Sequence, residues 1–252
     1  MTSIRLNKHL AKILSLAFWL LLWQLCAIKV GKELILPGPF AVVKALGNLV
    51  SRSEFWLNTI TTIIRVISGY CLGVFSAVIL AVLTCSNQLS DSLLSPIIRI
   101  VRATPVASFI ILALLWMGKS NVPVLMSMLM VIPVVWENIT AQYRATDRDL
   151  LEMAEAYRLS KWKRFRYIYV PSAFPGFLAG CLNAMGLAWK SGIAAEVLAQ
   201  PSLAIGSNLY YSKLYLETAD LFAWTAVVVI LSMLIEKLIR KLLFRGVGYE
   251  NK

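Results

Sequence analysis

DRDLLEMAEAYRLSKWKRFRYIYVP, residues 147–171, carries ten charged side chains in 25 positions of a chain that is otherwise mostly apolar. It stands between two hydrophobic runs and ends in Ile168-Tyr169-Val170-Pro171, straight into the second of them. A segment this rich in ions does not cross a hydrocarbon layer, so the side of the membrane it occupies fixes the direction of every run around it.

The rest of the chain supplies the membrane. Of 252 residues 59% are hydrophobic and 15% charged, where soluble domains carry roughly 25% charged residues. Six windows, 13–28, 66–84, 103–117, 122–136, 170–189 and 221–235, contain no Asp, Glu, Lys or Arg. A spanning helix needs about 20 apolar residues, so the second and fifth windows suffice alone and the others borrow flanking residues or tilt. Residues 118–121 break the third from the fourth and predict a helical hairpin with a short outer loop. The expected fold class is an all-α integral membrane protein of about six transmembrane helices.

Basic residues orient it. With the N-terminus inside and six crossings, 17 Lys and Arg fall on the inner side and seven on the outer, with Arg65 at the start of the second window. The positive-inside rule then puts both termini and the charged island in the cytoplasm. The net charge of +12 is therefore topological and implies no nucleic-acid partner. The first window follows Arg5, Lys8 and Lys12 as a signal peptide would, but no small-x-small cleavage site follows it cleanly, and a retained helix is expected. Three regions result: 1–59, a first helix and an outer amphipathic segment; 60–245, a membrane core with the charged loop at 139–170; and a tail at 246–252. In the outer segment Pro37 and Pro39 precede Phe40, Val43, Leu46 and Val50, whose spacing predicts a short helix lying on the membrane surface.

Enzymatic readings find little support. Cys26, Cys71, Cys85 and Cys181 lie in or beside apolar runs without C-x-x-C spacing and read as small buried hydrophobes. His9 is the sole histidine, which excludes H-E-x-x-H zinc chemistry and leaves no Ser-His-Asp set. The string 118-GKS-120 has the ending of G-x-x-x-x-G-K-[ST], but Ala113 stands where its first Gly is required and the string is a hairpin tip. Ionisable residues at span ends are the remaining candidates. Arg65 either snorkels to outer headgroups or faces a pathway. Glu137 caps its helix or pairs with Arg144. Lys190, beside Trp189, either pairs with Glu196 or faces the pathway. Gly69 and Gly73, and Gly176 and Gly180, permit close helix approach.

Within the island, Thr146-x-x-Asp149 predicts a helix start, with Asp147 and Asp149 at the positive end of its dipole. Leu150, Met153, Ala154 and Tyr157 then fall at i, i+3, i+4 and i+7 and form one apolar stripe, rimmed by Glu152, Arg158 and Ser160. A second helical pattern places Trp162, Phe165 and Tyr169 on one side, and Pro171 opens the next span, where a missing N–H costs least. The stripe is either the inside of a folded loop or a docking surface for a soluble partner.

These residues resemble the EAA loop of ABC-importer permeases: E-A-A, a Gly four residues on, then about nine residues, Ile, one or two residues, and Leu-Pro. Glu152-Met153-Ala154 stand for E-A-A, Ile168 for the Ile and Val170-Pro171 for Leu-Pro, while Arg158 occupies the Gly position. That substitution leaves the turn between the two short helices open to a local difference. The resemblance runs from about residue 36 to residue 245. It is carried by 36-LPGPFAVVKAL-46, 60-ITTIIRVISGYCLGV-74, 102-RATPVASFIILALLWMG-118 and 186-GLAWKSGIAAEVLA-199, followed by Ile205-Gly206, and favours the nitrate, sulfonate, taurine and bicarbonate branch. It implies the type I permease fold with a cytoplasmic coupling helix. The site it implies comprises Asp149, Leu150, Glu152, Met153, Ala154, Tyr157, Arg158, Ser160 and Pro171 as the ATPase-coupling set. Two copies of a cytoplasmic ABC ATPase, a second copy of this chain and an extracytoplasmic solute-binding protein are the implied partners, in a bacterial cytoplasmic membrane. The chain would hold no cofactor, ATP and Mg being bound by the ATPase. Arg65, Trp189, Lys190 and Glu196 are the translocation-path candidates, for a small anion or, alternatively, a pyrimidine-like vitamin precursor. A passive channel, a scaffold or a membrane enzyme is the competing class.

Overall fold

The computed structural model describes residues 8–245; residues 1–7 and the expected tail at 246–252 lie outside them. The described residues form helices joined by turns, with five helices long and apolar enough to cross a membrane and one bent helix pair that makes a sixth crossing if its two parts cross together. In chain order they are α1 (Lys8–Val30), α2 (Pro39–Val50), α3 (Ser53–Ser86), α4 (Gln88–Ala103), α5 (Val106–Trp116), α6 (Val122–Arg144), α7 (Arg148–Ala156), α8 (Lys161–Arg164), α9 (Val170–Ala199), α10 (Ile205–Leu214) and α11 (Thr218–Arg245).

The centre of the bundle is α6, packed between α3 and α9. Lipid gives helices no hydrophobic reason to associate, so close backbone approach and buried hydrogen bonds must hold them. Small residues provide the approach: Gly69 and Gly73 of α3 lie against Val124, Ser127 and Val131, and Gly176 and Gly180 of α9 against Asn138 and Val135. A side chain at any of the four would collide with α6 or force it away. Hydrogen bonds provide the fixing. Tyr70 Oη donates to Cys181 O at 3.0 Å, Ser127 Oγ to Ala188 O at 3.0 Å, and Trp136 Nε1 to Thr84 Oγ1 at 3.1 Å.

Several expected boundaries are corrected. The third window, 103–117, is not one span: α4 and α5 meet at an angle of 104°. Pro105 lacks an N–H and its ring pushes the preceding residue out of the helical region, and Thr104 accordingly sits at ψ 132°. The fifth span does not begin at Pro171, because helix continues from Lys161 to Ala199. Its path passes through one wide turn at residues 165–169, where Val170 N–H donates to Phe165 O five residues back. The widening lies directly ahead of Pro171, whose ring demands extra room from the carbonyl of the previous turn. The outer amphipathic helix has two apolar faces: Val42, Ala45 and Leu49 are buried in the core shared with α11, while Phe40, Val43 and Val50 of the expected membrane-surface face are exposed. Cys181 alone of the four free cysteines is buried, and Cys26 and Cys71 are exposed.

At the end of the bundle nearest α7, α4 is tied to α6 by two ion pairs, Arg102 with Glu137 and Arg144 with Asp91, the latter at 2.8 Å. The expected Glu137–Arg144 pairing is thus replaced by two pairs across helices. Seven residues apart, Glu137 and Arg144 lie two turns from each other along one helix, too far for a direct contact.

Candidate functional site

Two groups of the expected site residues lie at opposite ends of the bundle. The first is the loop between α6 and α9. Its base is set where Tyr143, at the end of α6, stacks on Tyr169 with ring centroids 4.4 Å apart, and Ile168 is buried beside it. From that base α7 stands as a nine-residue rod with both ends closed. At its start Asp147 Oδ1 accepts from Asp149 N–H at 3.0 Å, so Asp147 is the cap and Thr146, whose hydroxyl donates back to Tyr143 O, is not. An ionised cap at the positive helix end is the stronger choice.

At the other end Arg158 adopts φ +53°, the left-handed region that favours glycine. Leu159 N–H donates to Ala154 O and Arg158 N–H to Glu155 O, both at 2.9 Å, which is the Schellman closure of a helix. The glycine position of the loop pattern thus has a backbone conformation that favours glycine, held here by an arginine. Ser160 then caps α8 by accepting from Lys163 N–H at 3.4 Å, and Arg164 Nε donates to Leu159 O.

The predicted apolar stripe divides. Ala154 is fully buried, whereas Leu150, Met153 and Tyr157 are exposed, Tyr157 by 76%. Asp149, Glu152, Arg158 and Ser160 are exposed around them, and Pro171 is exposed within α9. On the following segment Trp162 is exposed and stacks on Phe165 at 5.8 Å. One end of the molecule thus presents a short, half-apolar projection whose outer face no element among the described residues covers.

The second group lies at the opposite end of α3 and α9. Lys190 and Glu196 do not pair: Lys190 is exposed and Glu196 fully buried. Six residues on an α-helix turn through about 240°, which places the two on different faces. Glu196 instead meets Arg65, at 3.4 Å, and Arg65 is drawn in from the lipid headgroups with its side chain only 11% exposed. Thr62 Oγ1 donates to the Glu196 carboxylate at 2.9–3.0 Å and accepts from Ile205 N–H at 3.0 Å. Gly206 N–H reaches Glu196 Oε2 at 3.1 Å. Two further guanidinium donors of Arg65 go to Ser202 O and Leu203 O, each at 3.0 Å. Each side chain of this knot is held by at least two hydrogen bonds, as burial of charge requires.

The knot fastens the link between α9 and α10, where Gln200 and Leu203 have φ of +50° and +52°. Gly206 lets α10 cross directly over Glu196, since a Cβ there would overlap the Glu196 side chain and Val197 N. Trp189 is buried and donates from Nε1 to Val228 O at 3.1 Å, anchoring α9 on α11. Of the four translocation-path candidates, two form this knot, one is an anchor and Lys190 alone stays exposed. Thr62, the contact of Gly206 with Glu196 and the 200–204 link escaped sequence reading. The one signal for the pairing was that Arg65 and Glu196 are opposite charges near the same end of two spans.

The family described as the binding-protein-dependent transport system inner membrane component matches residues 42–248, and the chain belongs to it. It is a multi-pass membrane permease of an import-type ABC transporter, working with a binding protein and with ATPase subunits that are separate chains; it is not itself the enzyme. Among its relatives is an ABC transporter permease protein of Methanocaldococcus jannaschii, 29% identical over 98% of this chain and 92% of the relative. An aliphatic sulfonates transport permease protein, SsuC of Escherichia coli, is 29% identical over 78% of this chain and 75% of its own. The bicarbonate transport system permease protein CmpB of Synechocystis sp. is 27% identical over 81% and 70%. An amino acid ABC transporter of known structure shares the fold with a TM-score of 0.59 at 18% identity, over 73% of this chain and 88% of that one.

Proposed function

We propose that α7 is the surface on which a cytoplasmic ATPase docks, and that the chain works as a pair of permeases with two such ATPases. The observation that carries this reading is the exposed face of Leu150, Met153 and Tyr157 on a rod closed at both ends and mounted on α6 and α9, the two most intimately packed helices. A rigid contact transmits a rocking motion into a packed bundle, where a floppy loop would absorb it. ATP and Mg are bound by that ATPase and no cofactor by this chain. Both termini and α7 face the cytoplasm, as the distribution of basic residues supports.

The solute is a small anion of the sulfonate or bicarbonate type, handed over by an extracytoplasmic binding protein. The two named relatives support this class, and so does the knot at the far end, which cancels the Arg65 and Glu196 charges against each other and leaves Lys190 as an exposed cation on α9. Uptake of a labelled alkanesulfonate or of bicarbonate by cells expressing the chain with its ATPase and binding protein tests the solute. Docking requires α7 inside the cell, which is tested by labelling Glu155→Cys, in a chain whose four own cysteines are replaced by serine, before and after the cell membrane is opened. Modification only after the membrane is opened supports the reading, and modification from outside overturns it.

A further inference from the structure

At the α7 end of the bundle, α4 and α6 diverge around a cleft of about 320 Å³ that belongs neither to the rod nor to the knot. Its buried lining includes Trp136 and Thr140, and its exposed rim carries Arg99, Arg102, Arg144 and Glu137. Three guanidinium groups around one cleft repel each other unless anions neutralise them. Glu137 pairs with Arg102 and Asp91 with Arg144, while Arg99 forms no ion pair among the described residues. One whole positive charge is therefore left over.

Donors are left over as well. Arg102 meets its carboxylate through Nη1 and Arg144 through Nη2, and a guanidinium has five N–H groups in a planar fork. The unused edges and the whole fork of Arg99 line a space large enough for a tetrahedral oxyanion with its first waters. Guanidinium forks match sulfate and phosphate oxygens two at a time, which lysines at a membrane surface do not. We infer that the α4–α6 cleft binds an oxyanion of the phosphate or sulfate type, either free in solution or as the phosphodiester of an anionic lipid. The inference is independent of the docking reading and of the solute carried.

The test uses the full chain in nanodiscs and reads its thermal unfolding midpoint. One arm adds sodium sulfate to discs of phosphatidylcholine against chloride at equal ionic strength. The other replaces part of the phosphatidylcholine by phosphatidylglycerol in chloride alone. Anion at about five times the Kd of the site should raise the midpoint by about 2–4 °C in at least one arm. Arg99→Gln should remove at least half of that shift and Arg99→Lys less, while the exposed Arg148→Gln, which changes net charge equally outside the cleft, should keep it. A shift in the sulfate arm assigns a free anion and one in the lipid arm a headgroup. No shift in either arm, or an equal loss in Arg99→Gln and Arg148→Gln, overturns the inference. Arg99 is exposed and unpaired, so its variants should fold, and equal midpoints without the anion establish that they do.

Discussion

Arg65 and Glu196 sit at one end of the bundle with nearly every donor and acceptor turned inward and matched, whereas Glu152, Arg158 and their neighbours on α7 point outward. No charged side chain of α7 forms an ion pair among the described residues. Both regions are islands of charge in an apolar chain, and sequence alone makes them look alike. The difference lies in what stands beside the charges. In the knot they meet backbone groups of a second and a third helix, so they fix how α3, α9 and α10 cross. On α7 they surround exposed Leu150, Met153 and Tyr157, so they frame a face that another chain can cover. A buried, partnered charge is a fastener, whereas the exposed charges beside exposed apolar side chains on α7 mark the face on which the proposed docking would act.

The contrast breaks most sharply at Glu196. Glu196→Ala strands the Arg65 guanidinium, Thr62 Oγ1 and Gly206 N–H together, and removing one partner of a buried pair costs about 3–5 kcal/mol. The variant should show a large fall in membrane abundance and in unfolding midpoint in detergent. Glu196→Gln, which keeps acceptors for Thr62 and Gly206, should lose less. Were Glu196→Ala as stable as the parent but unable to transport, the knot would be part of the pathway instead of a fastener.

Next in size is Tyr157→Glu on the rod. The side chain is exposed and touches nothing that needs it, so stability should change by less than about 0.5 kcal/mol. A central aromatic at an interface, by contrast, contributes about 2 kcal/mol or more, which corresponds to roughly 30-fold in affinity. Copurification of the ATPase should fall accordingly while the amount of permease in the membrane holds. A variant that loses abundance and ATPase together would place Tyr157 in the fold and dissolve the distinction between the two ends.

How far this was legible in the sequence depends on the range of the forces involved. Windows of uniform apolarity are local, and five of the six proved to be helices. Their ends were misread because a charge-free window stops at Arg65, Glu137 or Lys190, and each of these lies inside a helix. The break at Thr104–Pro105 was written in the sequence as a proline, but a run of apolar residues on its far side hid it. On α7 the i, i+3, i+4, i+7 spacing gave the rod, yet it could not say that Ala154 would be buried and the other three exposed, because that depends on how the loop folds against itself. Least legible was the Arg65–Glu196 pair, 131 residues apart, for which no periodicity exists. Lys190, only six residues from Glu196, was the nearer partner in sequence and the wrong one in space.

Lys190 gives the next smaller effect: Lys190→Gln should alter stability by less than about 0.5 kcal/mol, since the side chain is exposed and bonded to nothing described. Uptake then decides its role alone. A fall in anion uptake at unchanged abundance makes Lys190 a pathway residue, and unchanged uptake removes the last of the four translocation-path candidates.

The finest test of the contrast runs in the opposite direction. Arg158 holds φ +53° with a side chain that makes no ion pair among the described residues. Left-handed backbone costs a non-glycine residue about 1 kcal/mol relative to glycine, though glycine gives back part of this through the freedom it gains in the unfolded chain. Arg158→Gly should therefore leave stability equal or raised by a few tenths of a kcal/mol, with the Schellman closure intact. Arg158→Val, which is β-branched and tolerates that conformation worst, should lower it and loosen the end of α7. If ATPase copurification follows the backbone, with glycine retaining it and valine losing it, the arginine serves the turn. If glycine and valine lose it equally, the guanidinium itself is a contact, and the exposed face of the rod extends past its C-terminal cap.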